Sequence, residues 1–270
     1  MSTLKITQAV GLGGKNTLND VKAVQTALNK LLTLIPPTKA LIVDGTLNAR
    51  LENSKTIAAI KLFQSKVLNM ARPDGKIDVN GRTHRKINEK LTYLAIRSTA
   101  ILKMPATYAT WMKTAINELG ESEVSGTQAN PRILSYFKAS KFWGTDDTGG
   151  QNAWCASFVS WVMKQHNIEP VKNAFRAKEW AGFGKKIDKP VYGAIGIKTR
   201  RGGGHVAFVV GQSADGNSLF MLGGNQNNSV NVTKYNKEVW ETFVVPADFD
   251  ESCETLPIYT QKALVAGSES

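Results

Sequence analysis

Cys155, His205 and Asn225 are the residue types of a cysteine-nucleophile site, and each stands in a local sequence suited to one part of it. The cysteine lies near the start of Asn152–Met163, an apolar run that reads as the beginning of a buried helix. Asn152 is placed to cap that helix, which puts the sulfur in the first turn, where unpaired backbone N–H groups favour an anion. Phe158, Val159, Trp161 and Val162 would anchor the helix and leave its first turn to face a cleft. A thiol is a strong nucleophile only as thiolate, and an imidazole beside a helix N-terminus lowers its pKa. His205 follows Gly202, Gly203 and Gly204 and opens an alternating strand, with Ala207 and Val209 on its own face. Glycines there leave room for a substrate chain to approach the ring. Asn225 follows a second short strand, Leu219–Leu222, and is expected to hold the imidazole in its working tautomer. Gln226 is close enough to compete for that role, and Asn225 could equally sit in a simple turn.

The remaining histidines fit the base role less well. His84 falls in a different, basic part of the chain, and His166 lies two or three helical turns beyond Cys155. No second His or Cys stands at ligand spacing, so no metal and no cofactor are expected. Cys155 and Cys253 are the only cysteines, too few for a disulfide framework, and a bridge between them would block the nucleophile. Taken alone, a single cysteine on an apolar helix is more often a small core residue. The three-part pattern is what argues for chemistry.

The elements that must position these residues fall into two regions. The net charge of +12 is uneven: residues 1–100 hold 16 Lys+Arg against 6 Asp+Glu, and the rest of the chain 18 against 16. A basic first region is expected to dock on a polyanion, with nucleic acid, anionic lipid and cell wall all eligible. No helix-turn-helix or aromatic RNA-binding motif accompanies the charge, so nucleic acid is not expected as a partner. A hydrophobic fraction of 42% supports packed cores, and no apolar run reaches the ~18 residues of a membrane span. Met1–Val10 lacks the features of a signal peptide, so the protein is expected to be made in the cytoplasm and to need another export route.

Residues 1–100 read as a helical domain. Asn19 and Asp20 are placed to cap a helix with Val21, Val24, Leu28, Leu31 and Leu32 on one face. Turns at Asp44-Gly45 and Asp74-Gly75 precede helices carrying Ile57, Ile60, Phe63 and Val67, and then Ile87, Leu91 and Leu94. Residues 101–107, with Pro105, read as a linker. In 108–250, Tyr108–Leu119 is amphipathic, and Pro131 after Asn130 suits the first position of a further helix. A polar loop, Gly144–Gln151, leads to the cysteine helix. Short strands are expected at Val191–Ile197, His205–Val210, Leu219–Leu222 and Trp240–Val245, and residues 251–270 as a tail that is mobile from Leu264. Helices first and strands after predict an α+β domain with an antiparallel sheet.

Two resemblances join these readings. Val24-Gln25, Leu28, Val43–Thr46, Thr56, Ile60, Phe63-Gln64, Asp74-Gly75 and Thr83 resemble the small three-helix peptidoglycan-binding domain of wall hydrolases, with an insertion around Asn48–Ser54. Asn130–Ile133, Trp154–Trp161, Gly204–Gly211 and Leu222–Gln226 resemble the CHAP and NlpC-type cysteine amidase/peptidase superfamily over about residues 108–246. That resemblance implies a papain-like fold with Cys155 as nucleophile, His205 as base and Asn225 as orienting group. It also makes Trp154, Trp143, Gln226 and Gly204 candidates for the substrate cleft. Ala153 stands where the family usually has proline, and Ala194 where it often has an acid.

Together the resemblances imply a monomeric peptidoglycan hydrolase acting in the periplasm or at the wall. It would be either a phage endolysin released by a holin or an antibacterial type VI secretion effector with a cognate immunity protein. The alternatives are a wall-binding protein without catalysis, or a transpeptidase or acyltransferase using the same cysteine.

Overall fold

The structure is a computed structural model that describes residues 3–102, 109–124, 129–147, 152–200, 202–260 and 263–265. The chain divides into two units, Met1–Ala95 and Ile96–Ser270. The expected linker falls mostly on 103–108, and the end of the polar loop on 148–151, both outside the described residues. Among the described residues no helix is long and apolar enough to cross a membrane.

The first unit holds helices α1 (Leu18–Lys30) and α2 (Lys55–Lys66), the greater part of α3 (Arg82–Leu102), and a ribbon of β1 (Val10–Gly11) against β2 (Lys76–Ile77). Val24, Leu28, Ile60, Phe63, Ile77 and Ile87 meet in its core. Thr17 rather than Asn19 or Asp20 caps α1, its hydroxyl accepting from the Asp20 N–H. The Asp20 carboxylate instead accepts the N–H groups of Thr7 and Gln8, tying the N-terminal segment to the helix.

The unit is built from one hydrogen-bonded clasp used twice. Gln25 Nε2 donates to Asp44 Oδ1, Thr46 O and Thr56 Oγ1, while its Oε1 accepts the Gly45 N–H. Gln64 repeats every contact: Nε2 to Asp74 Oδ1, Lys76 O and Thr83 Oγ1, with Oε1 accepting from Gly75 N–H. Gly45 and Gly75 have φ of +79° and +70°, a conformation that a side chain disfavours. Both glutamine side chains are buried, so their amides are obliged to keep these partners. Gln64→Leu is therefore expected to destabilise this unit by about 2 kcal/mol, because it leaves the Gly75 N–H and Lys76 carbonyl without a partner. Urea unfolding of the full chain would read it as a lower midpoint of the transition assigned to this unit.

The second unit packs α4 (Trp111–Asn117), α5 (Pro131–Ser140) and α6 (Cys155–Lys164) with a seven-stranded sheet. The strands are β3 (Lys185–Ile187), β4 (Ile195–Arg200), β5 (Gly203–Gln212), β6 (Ser218–Gln226), β7 (Ser229–Asn236), β8 (Thr242–Val245) and β9 (Leu264–Val265). Their order is β3-β8-β4-β5-β6-β7-β9, antiparallel except for β9, which runs parallel to β7. This is the α+β arrangement that the order of elements predicts.

Asn130 caps α5 by accepting from the Arg132 N–H, with Pro131 in the first turn. Arg132 then forms a bidentate pair with Glu118, both contacts 2.6 Å, and stacks 4.3 Å over Trp161 of α6. Tyr136 contacts Trp154, Phe158 and Trp161, so α5 fixes α6 through one buried aromatic cluster. Phe158 in turn meets Phe208 of β5, which ties the cysteine helix to the histidine strand.

The segment expected as a tail belongs to the domain as far as it is described. Gln212 N–H donates to Pro257 O, Tyr259 N–H donates back to Gln212 O, and the Tyr259 ring stacks on Phe220 at 4.5 Å. Leu264–Val265 is strand, not mobile chain, since β7 offers it an edge to pair with. Residues 266–270 lie outside the described residues.

Candidate active site

α6 is buried on all sides from Cys155 to Met163, which is why its sequence is apolar without a polar stripe. Trp154 occupies the N-cap position with no side-chain cap. The expected cap from Asn152 does not form: its amide turns back to Asp146, donating to both the backbone O and Oδ1. Cys155 is the first helical residue, so its sulfur stands at the end of the helix where backbone N–H groups lack intrahelical partners. Both cysteines are free thiols, Cys155 buried and Cys253 exposed. Burial pushes the Cys155 thiol up, but the His205 imidazole beside it, with its charge, outweighs burial. With smaller help from Arg200 and the Val206 N–H, it leaves the thiol below its ordinary range. Cys253 behaves oppositely, its thiol donating to Asp250 and held above that range.

His205 is fully buried near the start of β5. Its Nε2 lies 3.1 Å from Gln226 Oε1. The orientation of that amide follows from its neighbours. Gln226 Nε2 faces the carbonyls of Asn231 at 2.8 Å and Met221 at 3.2 Å, with Asn231 Oδ1 at 3.1 Å, so this end must be the donor. Oε1 is then an acceptor shared by the Tyr235 hydroxyl at 3.0 Å and the imidazole. An acceptor on Nε2 requires that nitrogen to carry hydrogen, which leaves Nδ1 of the neutral ring with its lone pair. Nδ1 is buried without a partner at ordinary hydrogen-bond geometry, and it is the nitrogen left for Cys155. A resting thiol and base commonly stand slightly apart and close up on substrate.

The residue hydrogen-bonded to the imidazole is Gln226 rather than Asn225. The cause is a bulge. β6 and β7 pair in register from Ser218↔Asn236 to Gly223↔Asn231 and then resume at Gln226↔Ser229. Two residues of β6, Gly224 and Asn225, thus stand opposite one residue of β7, and Asn225 takes φ +55°. One extra residue reverses the alternation of side chains, so Gln226 points to the His205 face.

The two glycines before it are required by packing. A Cβ at Gly223 would lie 2.8 Å from Ala207 Cβ and 3.2 Å from Gln226 Oε1. One at Gly224 would lie 2.6 Å from the Trp154 ring and 2.8 Å from Phe158 Cβ. Gly224→Ala is expected to destabilise the domain by about 2 kcal/mol through this overpacking, read as a lower thermal midpoint.

The other candidates divide. Trp154 is fully buried, its Nε1 donating to Glu123 Oε1 at 2.9 Å, so it is a core residue and not a cleft wall. Its indole lies between Tyr136 of α5 and Gly224 of β6. The space over Gly204 is taken by Lys178 and Ala177, not by an approach path. Trp143 is 73% exposed and packs with Phe142 and Phe175 in a surface aromatic group. His166 bonds to Thr110 and Thr114, and His84 to Asn80 N–H and Leu4 O, so both hold their own segments together. Among the described residues no cluster of three or more His, Cys, Asp or Glu stands at metal-binding distance.

A buried thiol acidified by an imidazole, itself oriented by a fixed amide, is the constellation of a cysteine amidase or peptidase. Residues 146–225 match the CHAP domain. CHAP domains are generally cysteine- and histidine-dependent amidases or peptidases. The matched CHAP segment contains both Cys155 and His205 and stops one residue before Gln226. No curated protein matches the chain. Tyr235 and Asn231, which fix Gln226, lie on β7 beyond the CHAP segment and were not among the candidates from sequence. The available signal was the alternation of Asn231, Thr233 and Tyr235 with Val230 and Val232, a period of two that marks a strand.

Proposed function

We propose that this chain is a peptidoglycan hydrolase that cleaves an amide bond in the stem or cross-link peptide, or at the sugar–peptide junction. The observation that carries the reading is the acidified Cys155 thiol beside His205, with Gln226 behind the ring. In this mechanism Cys155 gives its proton to His205 Nδ1 and Sγ attacks the amide carbonyl carbon. The charge developing on oxygen is met by free N–H groups at the start of α6, that of Cys155 among them. His205 returns the proton to the leaving nitrogen, the C–N bond breaks and a thioester remains. Water, deprotonated at Nδ1, attacks the thioester, which releases the carboxylate product and restores the thiol. Gln226 keeps the ring oriented throughout.

The basic first unit is assigned to wall binding. Its excess of Lys+Arg over Asp+Glu suits an anionic polymer, and its two Gln–Asp–Gly clasps give it rigid, repeated turns. Tethering to the wall raises the local concentration of scissile amides. Delivery as a type VI secretion effector or as a phage endolysin both suit such an enzyme, and an effector would be matched by a cognate immunity protein. The test is digestion of purified sacculi with products identified by mass. New amine and carboxyl ends at one amide are the expected result. Release of reducing sugar ends, or sacculi left intact, would refute the assignment.

A further inference from the structure

Lys198 stands directly across from His205 in the β4–β5 ladder, so the two side chains leave the same face of the sheet. Lysine is rarely buried, yet Lys198 is 9% exposed. Its ammonium lies 4.6 Å from the centre of the Tyr235 ring and 5.9 Å from that of Trp240. The same two rings flank His205, at 6.2 and 6.0 Å between centroids. The cation is therefore built into the shell that surrounds the imidazole. Two residues further along β4, alternation returns Arg200 to this face opposite Gly203, half-buried and with its charge felt at the Cys155 sulfur. Thr199, between them, faces the other way, and its N–H and hydroxyl are bound by the Glu241 carboxylate. The Glu241 carboxylate thus serves the outer face, while Lys198 and Arg200 share the face that carries His205.

We propose that Lys198 and Arg200 form a carboxylate-receiving subsite beside Cys155, so that the site selects amides that neighbour a free carboxylate. A guanidinium and a partly desolvated ammonium are the natural receptors for such a group. The substrate named rests on the hydrolase reading above, but the subsite itself can be tested without turnover. Iodoacetate and iodoacetamide alkylate a thiol with the same leaving group and differ only in carboxylate against carboxamide. Their rates at Cys155, read by mass on the peptide that contains it, are unaffected by the exposed Cys253.

The ratio of the iodoacetate rate to the iodoacetamide rate is expected to fall about tenfold in Lys198→Met and in Arg200→Gln, the scale of one screened charge contact. Lys198→Arg, which keeps the charge, should retain most of it. Cations that only acidified the thiol would change both rates alike and leave the ratio intact; that result overturns the proposal. Failure of both reagents to reach Cys155 overturns it as well. Sacculi whose carboxyls have been converted to carboxamides should in turn be cut about tenfold more slowly by the wild type. Sacculi left whole by a protein whose alkylation ratio still responds would count against the hydrolase assignment alone.

Discussion

His205→Ala is expected to raise the Cys155 thiol above its ordinary range and to cut amide hydrolysis by about 10³-fold or more. Two opposed effects set the thiol in the native protein: burial raises it, and the neighbouring His205 lowers it, with smaller help from Arg200 and Val206 N–H. Removing the ring leaves burial dominant. The sign is then fixed, because a buried thiol without a cationic neighbour disfavours its charged form. At neutral pH the nucleophile would be protonated, and no group would remain to pass a proton to the leaving amine. The pH dependence of Cys155 alkylation reads the first effect and turnover of sacculi the second. An unchanged alkylation profile would mean that the imidazole does not govern the thiol.

The second large effect is expected at Gln226. Gln226→Ala removes the partner of His205 Nε2 and of the Tyr235 hydroxyl, and frees the carbonyls of Asn231 and Met221 inside the domain. We expect kcat to fall about 10²-fold, since the ring loses its orientation, and stability to fall by about 2 kcal/mol from the buried groups left unpaired. Gln226→Glu separates orientation from folding. A carboxylate on Nε2 favours the imidazolium that forms when Cys155 gives up its proton. That charged form then persists to higher pH, so the alkaline limb of kcat/KM should move up by about one pH unit. A purely structural role for Gln226 would lower stability without moving that limb.

The cysteine helix and the histidine strand were legible because their signals are local. An apolar run behind Trp154-Cys155 reads as a buried helix, and three glycines ahead of an alternating run read as a loop entering a strand. The orienting residue was not legible in the same way. Asn225 and Gln226 are neighbours of similar chemistry, and only the one-residue bulge against β7 decides which faces His205. That bulge is set by the pairs with Asn231 and Ser229 on either side of it, and by Trp154 and Phe158 closing over Gly224. None of these contacts has a signature at Asn225 itself. Trp154 is ambiguous in sequence for a related reason: an aromatic next to a nucleophile suits a cleft wall as well as a core. Here the half-buried Glu123 carboxylate gives its indole N–H a partner. Lys198 is the converse case, a residue type expected at the surface that two aromatic rings, Tyr235 of β7 and Trp240 beyond it, make tolerable inside.

The measurement that bears most directly on the central claim is digestion of purified sacculi by wild type and Cys155→Ala at equal concentration, with products resolved by mass. The wild type is expected to release amide-cleaved fragments. Cys155→Ala is expected to release none while still sedimenting with sacculi, since the basic first unit is untouched. Loss of both activity and folding in Cys155→Ala would shift the comparison to Cys155→Ser, which keeps the shape of the site and should be equally silent. The same fragments released at the same rate by either variant would contradict a thioester mechanism at Cys155.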